Sequence, residues 1–186
     1  MKRLFDLIAA LFLIVLFAIP IILIAVLVRI TSPGPALYWS NRIGINNSLF
    51  RMPKFRTMRT DTPAVATHLL SKPDAFITPI GRFLRKTSLD ELPQLYSILK
   101  GDMSFVGPRP ALFNQDDLIA LRTERGIHHL VPGLTGWAQI NGRDELPIPE
   151  KVSYDEYYLE HRSFFLDMKI LLRTLLKVMK KEGVSH

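Results

Sequence analysis

Residues 7–28 read LIAALFLIVLFAIPIILIAVLV, a run from Leu7 to Val28 without one polar side chain, set between Lys2-Arg3 and Arg29. As a single straight helix the run crosses ~30 Å of hydrocarbon. Its length, and the lack of a small-residue cleavage pattern before Arg29, set it apart from a signal peptide. Two features complicate a simple span. Pro20 lies inside the run, where it deletes a helical hydrogen bond and pushes the preceding turn aside. Basic residues stand on both sides, at Lys2, Arg3, Arg29 and Arg42, so charge bias gives no reason to put the two ends in different compartments. The residues leave two topologies open: a kinked single-pass anchor, or a helix that enters, bends at Pro20 and leaves by the same face.

The whole chain has 186 residues, with 24 Lys plus Arg against 17 Asp plus Glu, and no cysteine. That length suits one domain with the apolar run attached to it. A cysteine-free chain excludes disulfides, thiol nucleophiles and Cys-ligated metals. The formal charge of +7 points to anionic partners: lipid, nucleic acid or phosphate-bearing small molecules. No nucleic-acid module and no basic stripe with interleaved aromatics is visible, and Trp39 and Trp137 serve as well for core or interface anchors as for stacking platforms. Neither a G-x-G-x-x-G pattern nor a Walker loop is present.

Beyond the apolar run, Thr31-Ser-Pro-Gly-Pro35 cannot continue a helix. Ala36 to Lys54 reads as short extended pieces around a turn at Asn46-Asn47. Thr60 to Pro79, with Pro63, Pro73 and Pro79, reads as a surface loop. Helices are expected over Ser88 to Lys100, stopped by Gly101, and between about Asn114 and Arg125. A long helical stretch follows from about Glu150 to Lys181, with a break near Ser163. There Met168, Leu171, Leu172, Leu175, Leu176 and Met179 recur at helical spacing, while Lys169, Arg173, Lys177, Lys180 and Lys181 take another side. Such a helix either packs on the core or lies in a bilayer interface with its lysines near anionic headgroups.

Chemistry-bearing side chains are densest in residues 82–94, RFLRKTSLDELPQ, where Arg85, Lys86, Asp90 and Glu91 surround a helix start. Ser88 and Glu91 have capping-box spacing, whereas a start at Asp90 puts Pro93 in the first turn. Either register sets both carboxylates beside the positive helix end, which favours their ionised forms. An ionised aspartate among arginines either caps a helix or attacks an electrophile held by those cations. Further phosphate-matching groups stand at Lys54, Arg56 and Arg59, at Arg109 within Gly107-Pro-Arg-Pro110, and at Arg143 after Asn141-Gly142. The five histidines show no zinc spacing, and the adjacent His128 and His129 would diverge in a regular element. Magnesium asks for less, one or two carboxylates plus phosphate oxygens.

Several pieces occur together and in order: Lys2-Arg-Leu-Phe-Asp6, Ser32-Pro-Gly-Pro35, Arg42-Ile-Gly44, Lys54-Phe-Arg-Thr-Met58 and Arg85-Lys-Thr-Ser-Leu-Asp-Glu-Leu-Pro-Gln94. They continue through Gly101-Asp-Met-Ser-Phe-Val-Gly-Pro-Arg-Pro110, Pro132-Gly-Leu-Thr-Gly-Trp-Ala-Gln139, Asn141-Gly-Arg143, Tyr157-Tyr158 and Leu166-Asp167. In this the chain resembles the bacterial sugar transferase family, the small monotopic phosphoglycosyl transferases that act on polyprenyl phosphate. The resemblance runs from Lys2 to about Leu172. It implies an α/β, mostly helical, monotopic membrane protein. Residues 1–30 are then a membrane-embedded re-entrant helix-break-helix. Residues 31–186 are a compact cytoplasmic catalytic domain with short strands, amphipathic interfacial helices and a C-terminal amphipathic helix. The place implied is the bacterial inner (cytoplasmic) membrane.

The resemblance also implies the reaction. A sugar phosphate passes from a UDP-sugar to a polyprenyl phosphate such as undecaprenyl phosphate, releasing UMP, as the first membrane step of surface glycan assembly. The family aspartate matching Asp90 is the nucleophile and forms a covalent phosphosugar intermediate, and Glu91 assists by handling protons for the lipid phosphate. Mg²⁺ is the expected cofactor, with Asp90 as its carboxylate ligand beside phosphate oxygens. Arg85 and Arg109 are the first candidates for phosphate contact, followed by Lys54, Arg56 and Arg143. The expected partners are the two substrates and anionic phospholipid, with no nucleic acid; a homodimeric second copy and downstream glycosyltransferases are candidate protein partners. The segments Thr60 to Thr78 and Asp144 to Tyr154 are where a choice of sugar would lie. One departure from the family stands at the break, where Ile19-Pro20 replaces a frequent Ser-Pro and removes a hydroxyl able to bond a freed carbonyl. Two other readings of the residues remain: a phosphatase or nucleotide hydrolase using Asp90, and a membrane scaffold without catalysis.

Overall fold

A computed structural model describes residues 1–62, 73–142 and 146–180. Arg143 lies outside the described residues, as do residues 63–72 of the first segment expected to choose the sugar and residues 144–145 of the second.

The apolar run forms two helices, α1 (Lys2–Leu16) and α2 (Ala18–Thr31), bent by 63° at Phe17. Pro20 explains the position of the break. It has no N–H to give the carbonyl of Leu16, and its ring crowds that same carbonyl. α1 therefore stops at Leu16, and Phe17 (φ −97°, ψ 11°) leaves the helix. Pro20 then falls in the first turn of α2, where a backbone N–H has no helical partner in any case. The helix resumes with Ile21 N donating to Phe17 O at 2.8 Å. Ile19 in place of serine does not prevent the bend. Among the described residues no single helix is long and apolar enough to cross a membrane; the bent pair meets that condition together, as a broken span or a re-entrant loop. Its outward residues, among them Phe12, Val15, Ile19, Ile22 and Ile30, are apolar and exposed, a surface that water does not tolerate well at this size.

Strands β1 (Leu37–Ile43) and β2 (Leu49–Phe55) pair antiparallel, from Leu37 opposite Phe55 to Ile43 opposite Leu49. Their turn, Ile45–Asn47, places Asn46 and Asn47 at φ 52° and 57°, the left-handed region that asparagine enters more readily than most residues. The expected hairpin is therefore present.

Pro79 begins a helix instead of ending a loop. α3 (Pro79–Thr87) starts with Thr78 Oγ1 accepting from Gly81 N at 3.1 Å and with Pro79 in the first turn, where it suits a helix. The helix expected over Ser88 to Lys100 is divided. Ser88 stands at φ 56°, ends α3 and makes no capping hydrogen bond from its side chain. A 3₁₀ turn (Leu89–Glu91) follows, and α4 (Gln94–Lys100) begins only after Pro93. Pro93 cannot donate to the carbonyl of Leu89, so a regular helix through the dyad is not available. Gly101 closes α4 at φ 101°, as expected of a helix stop.

Two short parallel strands, β3 (Ser104–Val106) and β4 (Gly133–Thr135), lie beyond. They are joined through α5 (Asp116–Glu124), and α6 (Trp137–Asn141), α7 (Ile148–His161) and α8 (Phe164–Lys180) complete the chain. The break between α7 and α8 falls at Arg162 and Ser163. α8 packs one side on the core and leaves another side open. Asp167 and Ile170 are buried on the core, while Phe165, Leu172, Leu175 and Leu176 stay exposed.

The main core gathers Met52, Ile98, Met103, Val106, Ile127, Val152 and Ile170 around Ala10 of α1. A second cluster packs Ile24 and Val28 of α2 on Phe55 and Leu84. The bent pair thus belongs to the fold and is not merely tethered to it. β3 and β4 approach closely because glycines line their contact: a Cβ on Gly133 would stand 2.1 Å from Gly107 N, and one on Gly136 2.1 Å from Gly107 O. Both obstacles are backbone. Gly133→Ala is expected to destabilise the protein by about 1–3 kcal/mol, as for other overpacked sites, measured by denaturant unfolding in detergent.

Candidate active site

The dyad lies on the 3₁₀ turn between α3 and α4, where the left-handed Ser88 redirects the chain. Asp90 is only 8% exposed. Glu91 receives two cations on one oxygen, Oε1: Lys54 Nζ from β2 at 3.0 Å and Arg109 Nη2 from the loop after β3 at 2.6 Å. Arg85, on the last turn of α3, donates from Nε to Thr57 Oγ1 at 3.0 Å, and its charge acts on Asp90. The arrangement therefore brings together Asp90, Glu91, Lys54 and Arg109, with Arg85 alongside.

These two neighbouring carboxylates have opposite environments. Burial pushes Asp90 up to about 6; the Lys54 cation opposes this, the Glu91 charge adds to it, and Arg109 and Arg85 oppose it further. Glu91 is pushed up by burial too, but Arg109 and Lys54 outweigh that and hold it well below the usual carboxylate range. Burial lowers the tendency of Arg85 to keep its proton, and the charge of Asp90 works against that. At pH 7 both carboxylates are charged, and Asp90 keeps more of the basicity that nucleophilic attack requires.

Arg56 has a different setting from the one expected of a phosphate ligand. Its guanidinium donates to Pro33 O at 2.5 Å and to Ser32 O and Oγ, both at 2.8 Å. Arg56 thereby fastens Ser32-Pro-Gly-Pro35 to the end of β2. Gly34 (φ 113°) lies so close that a Cβ there would meet Arg56 Nη1 at 2.1 Å. Arg59 pairs with Asp61 at 2.7 Å.

One supporting pair carries no sequence signature. Arg122 of α5 donates from Nε and Nη2 to Asp155 Oδ2 of α7, at 3.0 and 2.6 Å. Its Nη1 donates to the carbonyl of Arg109 at 2.8 Å. This buried pair holds the backbone from which Arg109 reaches Glu91. The two residues lie far apart in the chain, on separate helices, so no local pattern could join them.

Among the described residues no group of three or more His, Cys, Asp or Glu side chains is placed to hold a metal. His128 and His129 do not diverge as expected: their ring centroids are 3.9 Å apart, because they sit on a tight 3₁₀ turn, Ile127–His129.

A buried Asp90 and a partly buried Glu91 with its two cations thus lie on a turn flanked by elements that pack against an apolar bent helix pair. A sequence model described as bacterial sugar transferase matches residues 1–181, and the chain belongs to that family. It is 44% identical to the uncharacterized sugar transferase EpsL of Bacillus subtilis (strain 168), covering 100% of this chain and 91% of that one. It is 40% identical to the UDP-glucose:undecaprenyl-phosphate glucose-1-phosphate transferase of Caulobacter vibrioides, over 98% of this chain and 71% of that one. It is also 40% identical to the undecaprenyl-phosphate glucose phosphotransferase of Komagataeibacter xylinus, over 94% of this chain but only 35% of that longer protein.

The charge pattern is open to direct titration. With carboxyl-¹³C aspartate, Asp90 is expected to titrate near pH 6. Lys54→Met should move that midpoint up, and Glu91→Gln should move it down. The sign of the stability effect follows as well. A carboxyl held above its unfolded value binds more protons in the folded state, so its ionisation opposes folding as pH rises from about 4 to about 6. Asp90→Asn should therefore unfold at no lower temperature than the natural protein at pH 7.

Proposed function

We propose that the protein transfers a sugar phosphate from a UDP-sugar to a polyprenyl phosphate, with undecaprenyl phosphate as the expected acceptor, through a covalent phosphosugar on Asp90. The observation that carries this reading is the dyad itself: a buried aspartate of raised pKa beside a glutamate already covered by Lys54 and Arg109. The names of relatives that share most of this chain's length in their own sequences point to the same substrates.

In the first step a carboxylate oxygen of Asp90 bonds to the sugar-linked phosphorus. The bond from that phosphorus to the bridging oxygen breaks, and UMP leaves with the electron pair. In the second step an oxygen of the lipid phosphate attacks the same phosphorus. The acyl phosphate bond to Asp90 breaks, the carboxylate is restored and the sugar-diphosphate lipid is released. Two displacements avoid forcing the two anionic substrates to react directly. Arg109, Lys54 and Arg85 offset the charge that develops on the phosphates.

Glu91 has a double part in this scheme. In the resting arrangement it holds Lys54 and Arg109 at the site. When those cations turn to substrate phosphate, its hold on a proton strengthens, and it becomes able to take one from the incoming lipid phosphate. Magnesium fits this donor set, since it accepts one carboxylate with phosphate oxygens, and Asp90 is the carboxylate not covered by two cations. When bound, it neutralises diphosphate charge.

The bent pair gives the reaction its place. Residues 1–30 enter the bilayer and return by the cytoplasmic face of the inner membrane, and residues 31–186 work at that face. The exposed Leu172, Leu175 and Leu176 of α8 extend the lipid-facing surface, with anionic phospholipid meeting its lysines.

The test is the intact mass of nanodisc-held protein incubated with a panel of UDP-sugars and Mg²⁺, without acceptor. A gain of one phosphosugar is expected, absent from Asp90→Asn, prevented by a chelator and restored by Mg²⁺. Release of free sugar phosphate without a persistent adduct would replace the transferase with a hydrolase. Topology has its own measurement in this cysteine-free chain. A cysteine placed ahead of Met1 and one at Thr31→Cys should both be labelled only from the cytoplasmic side. Labelling of the first from the opposite side would overturn the re-entrant arrangement.

A further inference from the structure

The first two turns of α1 carry Lys2, Arg3 and Asp6, the charged residues of a helix that is apolar from there to Leu16. In the sequence they read as charges flanking a membrane run. In the structure each holds on to the protein. Arg3 donates from Nη1 to Ile98 O at 2.5 Å and from Nη2 to Leu99 O at 2.7 Å, at the C-terminal end of α4. These carbonyls belong to the last turn of a helix, where helical donors run out; that of Ile98 also accepts from Gly101 N at 3.2 Å. Asp6, only 2% exposed, accepts from Phe105 N of β3 at 3.3 Å. Lys2 donates to Asp167 Oδ2 at 2.6 Å, and the other oxygen of Asp167 accepts from the Tyr158 hydroxyl at 2.7 Å. That hydroxyl also lies 3.4 Å from Val106 O of β3.

The two elements held this way are those that carry the site. α4 begins just after Asp90 and Glu91, and β3 ends just before Arg109. The N-terminal helix grips the far end of α4 and the middle of β3. A buried carboxylate such as Asp6 costs free energy unless it is paired, and an apolar side chain would pack the same position more cheaply. A buried charged contact adds little net stability; Asp6 is buried, while Lys2 and Arg3 reach their acceptors from the surface.

We propose that Lys2, Arg3 and Asp6 are positioning residues: they set the separation of the Glu91 turn from Arg109, so that seating α1 and assembling the catalytic cluster are one event. The inference rests on the reading of Asp90 and Glu91 as the reacting dyad. The 2.6 Å contact between Arg109 and Glu91 leaves little slack, and a displacement near 1 Å is enough to lower a rate up to about a hundredfold.

The experiment compares Asp6→Leu, which removes the acceptor at similar volume, with Asp6→Asn, which keeps an acceptor oxygen. Both are studied as full chains in nanodiscs. Hydrogen exchange over residues 104–110 is read beside the rate of phosphosugar adduct formation at saturating UDP-sugar. Asp6→Leu is expected to stay membrane-bound, to exchange faster over 104–110, and to form adduct on the order of tenfold to a hundredfold more slowly. Asp6→Asn should recover most of the rate. Equal slowing in both variants, or a natural rate in folded Asp6→Leu, would overturn the proposal. Should Asp6→Leu not fold, Arg3→Met decides the matter. Faster exchange over 89–100 with slower adduct formation supports positioning, and no change in either overturns it. A natural protein that forms no adduct would count against the proposed reaction. The exchange arm would then still decide the docking, and unchanged exchange over 104–110 in Asp6→Leu would overturn it.

Discussion

The Glu91 carboxylate, with Lys54 and Arg109 on one oxygen, is the contact on which the rest of the structure turns. It joins a hairpin strand, a 3₁₀ turn and the loop after a parallel strand, three segments with no sequence proximity. A charge so enclosed is costly in water-free surroundings unless its partners are well placed. The fold supplies that placement from outside the cluster. Arg122 and Asp155 hold the carbonyl of Arg109, and the glycines at 107, 133 and 136 let β4 lie against the base of the same loop. Had a larger residue stood at any of the three, the loop would sit further out and Arg109 would have further to reach.

The same cluster explains why the bent helix pair is built into the core. α1 contributes Ala10 to the main cluster, and α2 contributes Ile24 and Val28 to the second. The turn that carries the dyad is connected to both, through α4 on one side and α3 on the other. The bend at Phe17, dictated by Pro20, lets one chain segment support both flanks of the site while keeping its outward face apolar. One proline thereby sets how the apolar segment meets both flanks of the site.

Much of this was legible in the residues because it depends on local rules. Proline inside an apolar run, asparagine pairs at a hairpin turn and glycine after a helix act within a few residues of themselves. The dyad stood out from its density of charge, and Lys54 and Arg109 from their motifs. What could not be read depends on distant pairing. Lys2 and Arg3 looked like topology charges because their acceptors, Asp167 and the carbonyls of Ile98 and Leu99, are far along the chain. Arg56 read as a phosphate candidate, and its contacts with the linker at Ser32 and Pro33 could not be read from local sequence. Ser88 had the spacing of a cap, but Pro93 breaks the helix it would have capped, and the left-handed turn at Ser88 follows.

The division of labour between the two carboxylates follows from where that broken helix leaves them. In a regular helix, adjacent residues point apart by roughly 100°. On this tight turn Glu91 meets the cations from β2 and from the β3 loop, while Asp90 is buried among their fields. Ionising Asp90 therefore opposes folding, and the fold tolerates the cost because Glu91, with its two cations, anchors the turn beside it. A sequence with asparagine at position 90 would relieve that cost and lose the carboxylate that the proposed reaction uses. Aspartate at this position opposes stability beside a glutamate that two cations hold firmly, a cost that the proposed reaction puts to use.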